Sequence, residues 1–283
     1  MPNINRFHQC LIKNKELCYV ILLSTLAAVL RLYHIDSQSL WMDELTQVGF
    51  YYSSKNIWDV ITSAAGQNQP PLDYIIGYFI AQYLPFSDFT ARLSACLFGI
   101  ATVPASYYLF KFIFNQKTAL ITTLWLAFSP VLVAYSQEAR PYSIFFFFYL
   151  CFLGLFFVFF LRRKFIFGKF TFFLCTFLML ISRGMSPIIT ILSLFASVCI
   201  LVVFDKKYLP FFKTVFVLFF KIGLLFSPIF IFVALYSRKY LQASTGMTQP
   251  HFSLLDPAIH LYTKLIPDNL GSLTIVIFIG ILI

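Results

Sequence analysis

Of 283 residues, 60% are hydrophobic, 20% aromatic and only 11% charged. A mean hydropathy of +0.83 leaves too few polar side chains to cover a water-facing surface, which excludes a soluble globular domain and implies a polytopic membrane protein. The net charge of +10 does not mark a nucleic-acid partner, because the basic residues fall mostly between hydrophobic runs, where they face anionic lipid. Five of the six cysteines, Cys18, Cys96, Cys151, Cys175 and Cys199, lie inside apolar runs, and Cys10 sits in the basic N-terminal tail. With no CxxC and no His-rich spacing, they read as small buried hydrophobes and not as a disulfide or metal framework.

In chain order, the basic Arg6, Lys13 and Lys15 precede an apolar run from Leu17 that continues through Ile35. No small-x-small site follows it, so it reads as an uncleaved first span and not as a signal peptide. A span needs about 20 apolar residues to cross about 30 Å of hydrocarbon. By that measure the expected spans are 17–35, 92–114, 118–135, 142–161, 165–181, 186–204 and 211–235, followed by a partial one over 272–283. The last run has no polar residue to close it, so the chain is expected to stop partway through a longer protein.

Pro71–Leu84 is also apolar, but about 14 residues of helix reach only roughly 21 Å. Charge placement argues the same way. If this piece does not cross, the clusters Arg6/Lys13/Lys15, Lys111/Lys117, Arg162/Arg163/Lys164/Lys169 and Lys206/Lys207/Lys213 all fall on one side, the cytoplasmic one. All acidic residues but Glu16 and Asp205 then lie on the other. The expected fold is therefore all-α: a transmembrane helical bundle with an external loop of juxtamembrane helices, residues 36–91, between the first two spans. Within that loop Trp41, Leu45, Val48 and Tyr52 repeat at i, i+4, i+7 and i+11 as an interfacial stripe, with Ser39 a candidate cap. Gly66–Pro71 is a loop whose double proline launches the short apolar piece.

Four polar sets then gather on the external face: Asp43-Glu44, Gln69-Pro70-Pro71, the connection 135–142 with Glu138 and Arg140, and Ser182-Arg183-Gly184. Charges this close to hydrocarbon are costly and normally face a cavity or a partner. The plainer readings are a carboxylate pair complementing a helix dipole for Asp43-Glu44, a turn-stabilising ion pair for Glu138 and Arg140, and an arginine snorkelling to headgroups for Arg183.

The combination nonetheless resembles a known family. Arg31 followed by Ser39-Leu40-Trp41-Met42-Asp43-Glu44, then Gln69-Pro70-Pro71-Leu72-Asp73-Tyr74, Phe89–Val103 and Leu126–Tyr142 is similar to the bacterial branch of family 39 glycosyltransferases. These are membrane enzymes of the C-type superfamily, related to protein O-mannosyltransferases and the lipid A aminoarabinose transferase. The resemblance covers residues 31–142 and extends to the later spans only in general character. Two departures stand out: Gln69 occupies a place where the family usually has His, and family members run to about twice this length.

The resemblance implies transfer of a sugar from a polyprenyl-phosphate donor to a protein, lipid or glycan acceptor on the external face of a bacterial plasma membrane. Asp43 corresponds to the family's catalytic carboxylate. Glu44 and Glu138 would orient the arginines or the acceptor, and Gln69 would contact substrate. Arg140 and Arg183 are the candidates to clamp the leaving phosphate. No cofactor is required; a divalent cation is compatible with these carboxylates but not demanded by them. Two other readings stay open on sequence: a transporter or flippase of a lipid-linked substrate, and an inactive, shortened member of the family.

Overall fold

The structure, a computed structural model, describes residues 4–67, 69–162, 168–184 and 186–245, with side chains described at 15–67, 69–161, 168–184, 186–228 and 231–232. Among these every regular element is helical. In order they are α1 (Ile4–Leu32), α2 (Met42–Ser53), α3 (Ile57–Gly66), α4 (Leu72–Tyr83), α5 (Asp88–Ile113), α6 (Gln116–Phe128), α7 (Pro130–Ser136), α8 (Tyr142–Arg162), α9 (Lys169–Leu180), α10 (Ser186–Phe204) and, after a short 3-10 turn at Lys206–Tyr208, α11 (Leu209–Thr245). Asp88–Ile113, Tyr142–Leu161, Ser186–Phe204 and Lys206–Pro228 are long and apolar enough to cross a membrane; the bent pair α6 and α7 makes a fifth if taken as one span. The described residues are all-helical, and these long apolar helices make the chain an integral membrane protein. The expected eighth span at 272–283 lies outside the described residues, as do Arg163 and Lys164.

The chain forms two compact units, Met1–Gly184 and Met185–Ile283. In the second, α10 packs on α11 through aromatic rings, with Phe195 5.5 Å from Phe212 and 6.0 Å from Phe216. The first is organised around α5, which meets α1, α6, α7 and α8. Its buried face is made of small and hydroxylated residues, among them Ala91, Ala95, Gly99, Thr102 and Ser106. Such residues let backbones approach and bond across helices, as Ser106 Oγ does with Thr123 Oγ1 of α6 at 3.1 Å. At the other end of α5, Lys111 pairs with Glu16 of α1.

Several sequence expectations change in detail. The run 17–35 expected as the first span belongs to α1, which is helical to Leu32 and is not among the described helices long and apolar enough to cross a membrane; a turn follows in which His34 takes φ 53°. The second starts earlier than expected, at Asp88, because Ser87 and Thr90 cap each other: Thr90 N donates to Ser87 Oγ at 3.1 Å and Ser87 N to Thr90 Oγ1 at 2.9 Å. Of the expected span 165–181, residues 165–167 lie outside the described residues, and α9 (Lys169–Leu180) is an apolar helix shorter than a span. The expected span 118–135 is not one rod but α6 and α7, bent by 56° at Ser129-Pro130. Pro130 has no N–H and its ring collides with the preceding turn, so the helix breaks and leaves carbonyls without their normal donors. Arg31, fully buried in α1, supplies them: its NH1 donates to Ala127 O at 3.1 Å and NH2 to Leu126 O at 3.3 Å. Gln137 returns the favour at the end of α1, donating to the carbonyls of Arg31 and Tyr33 at 3.2 and 2.8 Å.

Helices α2, α3 and α4 fold together beside the start of α5. Val48, Tyr51, Val60, Ala64, Tyr74, Ala91 and Ala139 share one small core. Tyr51 lies so close to Gly77 that a Cβ there would sit 2.8 Å from its ring, which is why α2 and α4 can cross tightly. One expectation for α2 is corrected: its first turn is capped not by Ser39 but by Glu44, whose Oε2 accepts from Trp41 N at 3.2 Å. Its buried face is Glu44, Gln47, Val48 and Tyr51, while Trp41 and Leu45 of the interfacial stripe are exposed. Polar pairing sets this rotation: two of the four inward residues are there to meet polar partners on α4, α5 and the turn before α8.

Candidate functional site

Adjacent residues on a helix point about 100° apart, so only one of Asp43 and Glu44 can face inward. It is Glu44, with no exposed surface. Arg92 of α5 grips it bidentately, Nε to Oε1 at 3.0 Å and NH2 to Oε2 at 2.9 Å. Ala139 N donates to Oε1 at 2.6 Å, and Trp41 N completes the set. A carboxylate has about four acceptor sites, and all are filled. Burial alone would raise its pKa; Arg92 and the two backbone donors outweigh burial and hold it below the usual carboxylate range. Arg92 also donates from NH1 to the carbonyls of Ile35 and Gln38 at 2.7 and 2.8 Å. Glu44 and Arg92 thus bind the loop after α1, the start of α2 and the turn before α8 to the head of α5.

Asp43 points the other way, with 54% of its side chain exposed. Its Oδ2 lies 3.6 Å from Arg140 NH2, and its backbone oxygen 3.4 Å from Arg140 NH1. NH1 also reaches Gln47 Oε1 at 3.5 Å. These contacts are long for hydrogen bonds, and the buried Nε of Arg140 has no partner among the described residues. The ion pair expected between Glu138 and Arg140 is not formed, since Arg140 turns to Asp43. Glu138 is half-buried, and its carboxyl is pushed up first by burial and then by the Glu44 charge.

Aromatic rings tie the cations together. The Arg140 guanidinium carbon is 5.9 Å from the Trp41 ring centroid and 6.0 Å from that of Tyr142. Arg183 lies against the same Tyr142 ring at 4.6 Å, and against Phe145 at 5.9 Å. Arg183 comes near because α9 ends beside the start of α4, where Leu72 N donates to Ile181 O at 3.1 Å. The same contact brings in Gln69, half-buried, whose backbone N–H bonds Ala64 O at 2.9 Å. Asp43, Arg140 and Arg183 therefore form one chain of contacts through Trp41 and Tyr142, with the Gln69 loop against the end of α9. Among the described residues no three of His, Cys, Asp and Glu gather as metal ligands.

Sequence reasoning missed four buried groups: Arg31, Gln47, Asp73 and Arg92. Asp73, on α4, is buried and accepts from Gln47 Nε2 and, at 3.4 Å, from Ser94 Oγ. Burial pushes its pKa up to about 6 against those bonds and the Arg140 charge. A carboxylate inside an otherwise apolar 12-residue helix is a signal in its own right; for Arg92 and Arg31 only the partners found in the fold mark them out. Searches of family models, of curated proteins and of solved structures give no match for this chain.

Proposed function

We propose that this protein transfers a sugar from a polyprenyl-phosphate donor to an acceptor hydroxyl at the external face of a bacterial plasma membrane. The observation that carries the reading is an exposed carboxylate, Asp43, placed 3.6 Å from a guanidinium that shares the Tyr142 ring with a second one. Asp43 takes the proton of the acceptor hydroxyl as its oxygen attacks the anomeric carbon. The bond from that carbon to the phosphate oxygen breaks, and the polyprenyl phosphate leaves with the electron pair, its charge met by Arg140 and Arg183. Arg140 serves both states: drawn to the donor phosphate, it leaves Asp43 free of its ion pair and more basic.

In this reading α2–α4 lie along the outer membrane surface, where exposed Trp41, Trp58, Phe79, Tyr83 and Phe86 suit the headgroup boundary. The acceptor is a protein, lipid or glycan. The test is release of polyprenyl phosphate from a panel of polyprenyl-phosphate hexoses and pentoses by the purified chain in lipid nanodiscs. Turnover of one donor, abolished in Asp43→Asn, supports the proposal; failure of the chain to bind any donor overturns it. The bent pair α6 and α7 is the one feature favouring transport or flipping, which broken helices often serve. Yet the Arg31 beside that break spends NH1 and NH2 on backbone carbonyls. Donor flipping by vesicle-reconstituted protein without sugar release would favour that second reading.

A further inference from the structure

Behind the exposed Asp43 and its partner Arg140 runs a buried polar line that the proposed reaction does not use. Gln47 is 2% exposed and Asp73 is 2% exposed. The Gln47 amide has one face to each side: Nε2 donates to Asp73 Oδ2, and Oε1 accepts from Arg140 NH1 at 3.5 Å. An ionised carboxylate can only accept. It therefore dictates which end of the Gln47 amide it receives, and so presents the carbonyl oxygen, not the NH2, to Arg140.

We propose that Gln47 is a positioning residue, holding the Arg140 guanidinium in place for a phosphate through an amide whose orientation the buried Asp73 carboxylate fixes. The inference rests on the phosphate reading of Arg140. Its geometry is a relay across three elements: Asp73 on α4, Gln47 on α2 and Arg140 in the turn before α8. A neutral acid at 73 both donates and accepts, so it no longer dictates the amide. A flipped Gln47 would turn its NH2 onto a cation, and the negative charge behind that cation would be gone.

The surroundings of Asp73 make it the group that changes. It bonds Gln47 of α2 and Ser94 of α5, and its charge interacts with Tyr51 of α2, Tyr74 of its own helix and Arg140 of the turn. Helix α3 meets α4 through Val60 and Ala64, which do not titrate. Both tyrosines are shifted upward, by burial and then by Asp73 itself, Tyr74 to about 12. Asp73, pushed to about 6, changes charge in mildly acid solution while they do not.

The test uses Trp41 as a reporter, since Arg140 lies 5.9 Å from its ring. The other two tryptophans, Trp58 and Trp125, are both well exposed and are replaced by Phe in full-length protein in nanodiscs. Trp41 emission should titrate with a midpoint of about 6 in that parent. Asp73→Asn and Gln47→Leu should be flat from about pH 5 to 8, fixed near the parent's acid-side value, while Glu138→Gln should keep the transition. A transition unchanged in Asp73→Asn, or lost in Glu138→Gln, overturns the proposal. In parallel, undecaprenyl phosphate binding at neutral pH should be about tenfold weaker in Gln47→Leu, as expected when a preorganised contact is loosened; equal affinities overturn the positioning role. If the parent binds no undecaprenyl phosphate at all, the phosphate reading of Arg140 fails, and the emission titration separately decides whether Asp73 and Gln47 hold that side chain.

Discussion

Asp43 and Glu44 are neighbours in the chain with opposite surroundings, and substitution should separate them. Asp43→Asn keeps the shape and removes the charge of an exposed side chain; turnover should fall by at least roughly 100-fold, as for a positioned acid–base group, with the melting temperature in detergent unchanged. Glu44→Gln instead strands Arg92 without its counter-charge, a loss of about 3–5 kcal/mol for a broken buried pair, so its activity should fall together with its melting temperature. Because the folded-state pKa of Glu44 is depressed, the stability it contributes is present above its unfolded value and lost as pH falls through the folded one. A Glu44→Gln protein as stable as the parent would return that carboxylate to the list of catalytic candidates. At Arg140, lysine keeps the charge but not the fork of parallel donors. Arg140→Lys should weaken polyprenyl-phosphate binding by about 1.5–3 kcal/mol in calorimetry, and Arg183→Lys by less, since a cation would still rest on the Tyr142 ring. Equal binding by Arg140→Lys and the parent would reduce Arg140 to a partner of Asp43.

Between elements, what the sequence made legible was hydrophobic length, and what it hid was pairing. The runs that became α5, α8, α10 and α11 were visible as apolar stretches because crossing hydrocarbon demands them. Pro130 lay inside the run expected as the single span 118–135, and the bend it causes is tolerated because Arg31 reaches the freed carbonyls from nearly a hundred residues away in the chain. No periodicity announces such a partner. The same holds at α2, where the apolar stripe showed Trp41 and Leu45 of the outer side, but nothing announced the inner face that the ion pair of Glu44 with Arg92 selects. Gly99 tests the packing at the bend. A Cβ added there would stand 2.1 Å from Ser136 Oγ, 2.7 Å from Ser136 Cβ and 3.1 Å from Arg31 Nε. Gly99→Ala should therefore push α7 from α5 and cost about 1–3 kcal/mol, the range for an overpacked core, read as a lowered melting temperature. An unshifted melt would mean that α5 and α7 can part freely and that Arg31 is not confined by them.

For the molecule as a whole, the proposed chemistry requires Asp43, Arg140 and Arg183 on one side of the membrane, and that depends on α4 not crossing. Two independent arguments agree. Its 12 residues make roughly 18 Å of helix against about 30 Å of hydrocarbon, and the basic clusters fall on one side only when residues 36–91 stay together on the other. The packing is consistent, since α4 shares a core with α2, α3 and the head of α5, while Lys111 and Glu16 pair at the opposite end of α5. Single cysteines in a protein with its six native ones replaced give the measurement. Ser53→Cys, at the end of α2, and Gln82→Cys, near the end of α4, are both exposed positions; an impermeant maleimide should label them on intact cells. Gln116→Cys, exposed at the start of α6, should react only after permeabilisation. If Gln82→Cys needs permeabilisation while Ser53→Cys does not, α4 crosses after all. Every later connection then changes side, Arg140 and Arg183 part from Asp43, and the shared active face is lost.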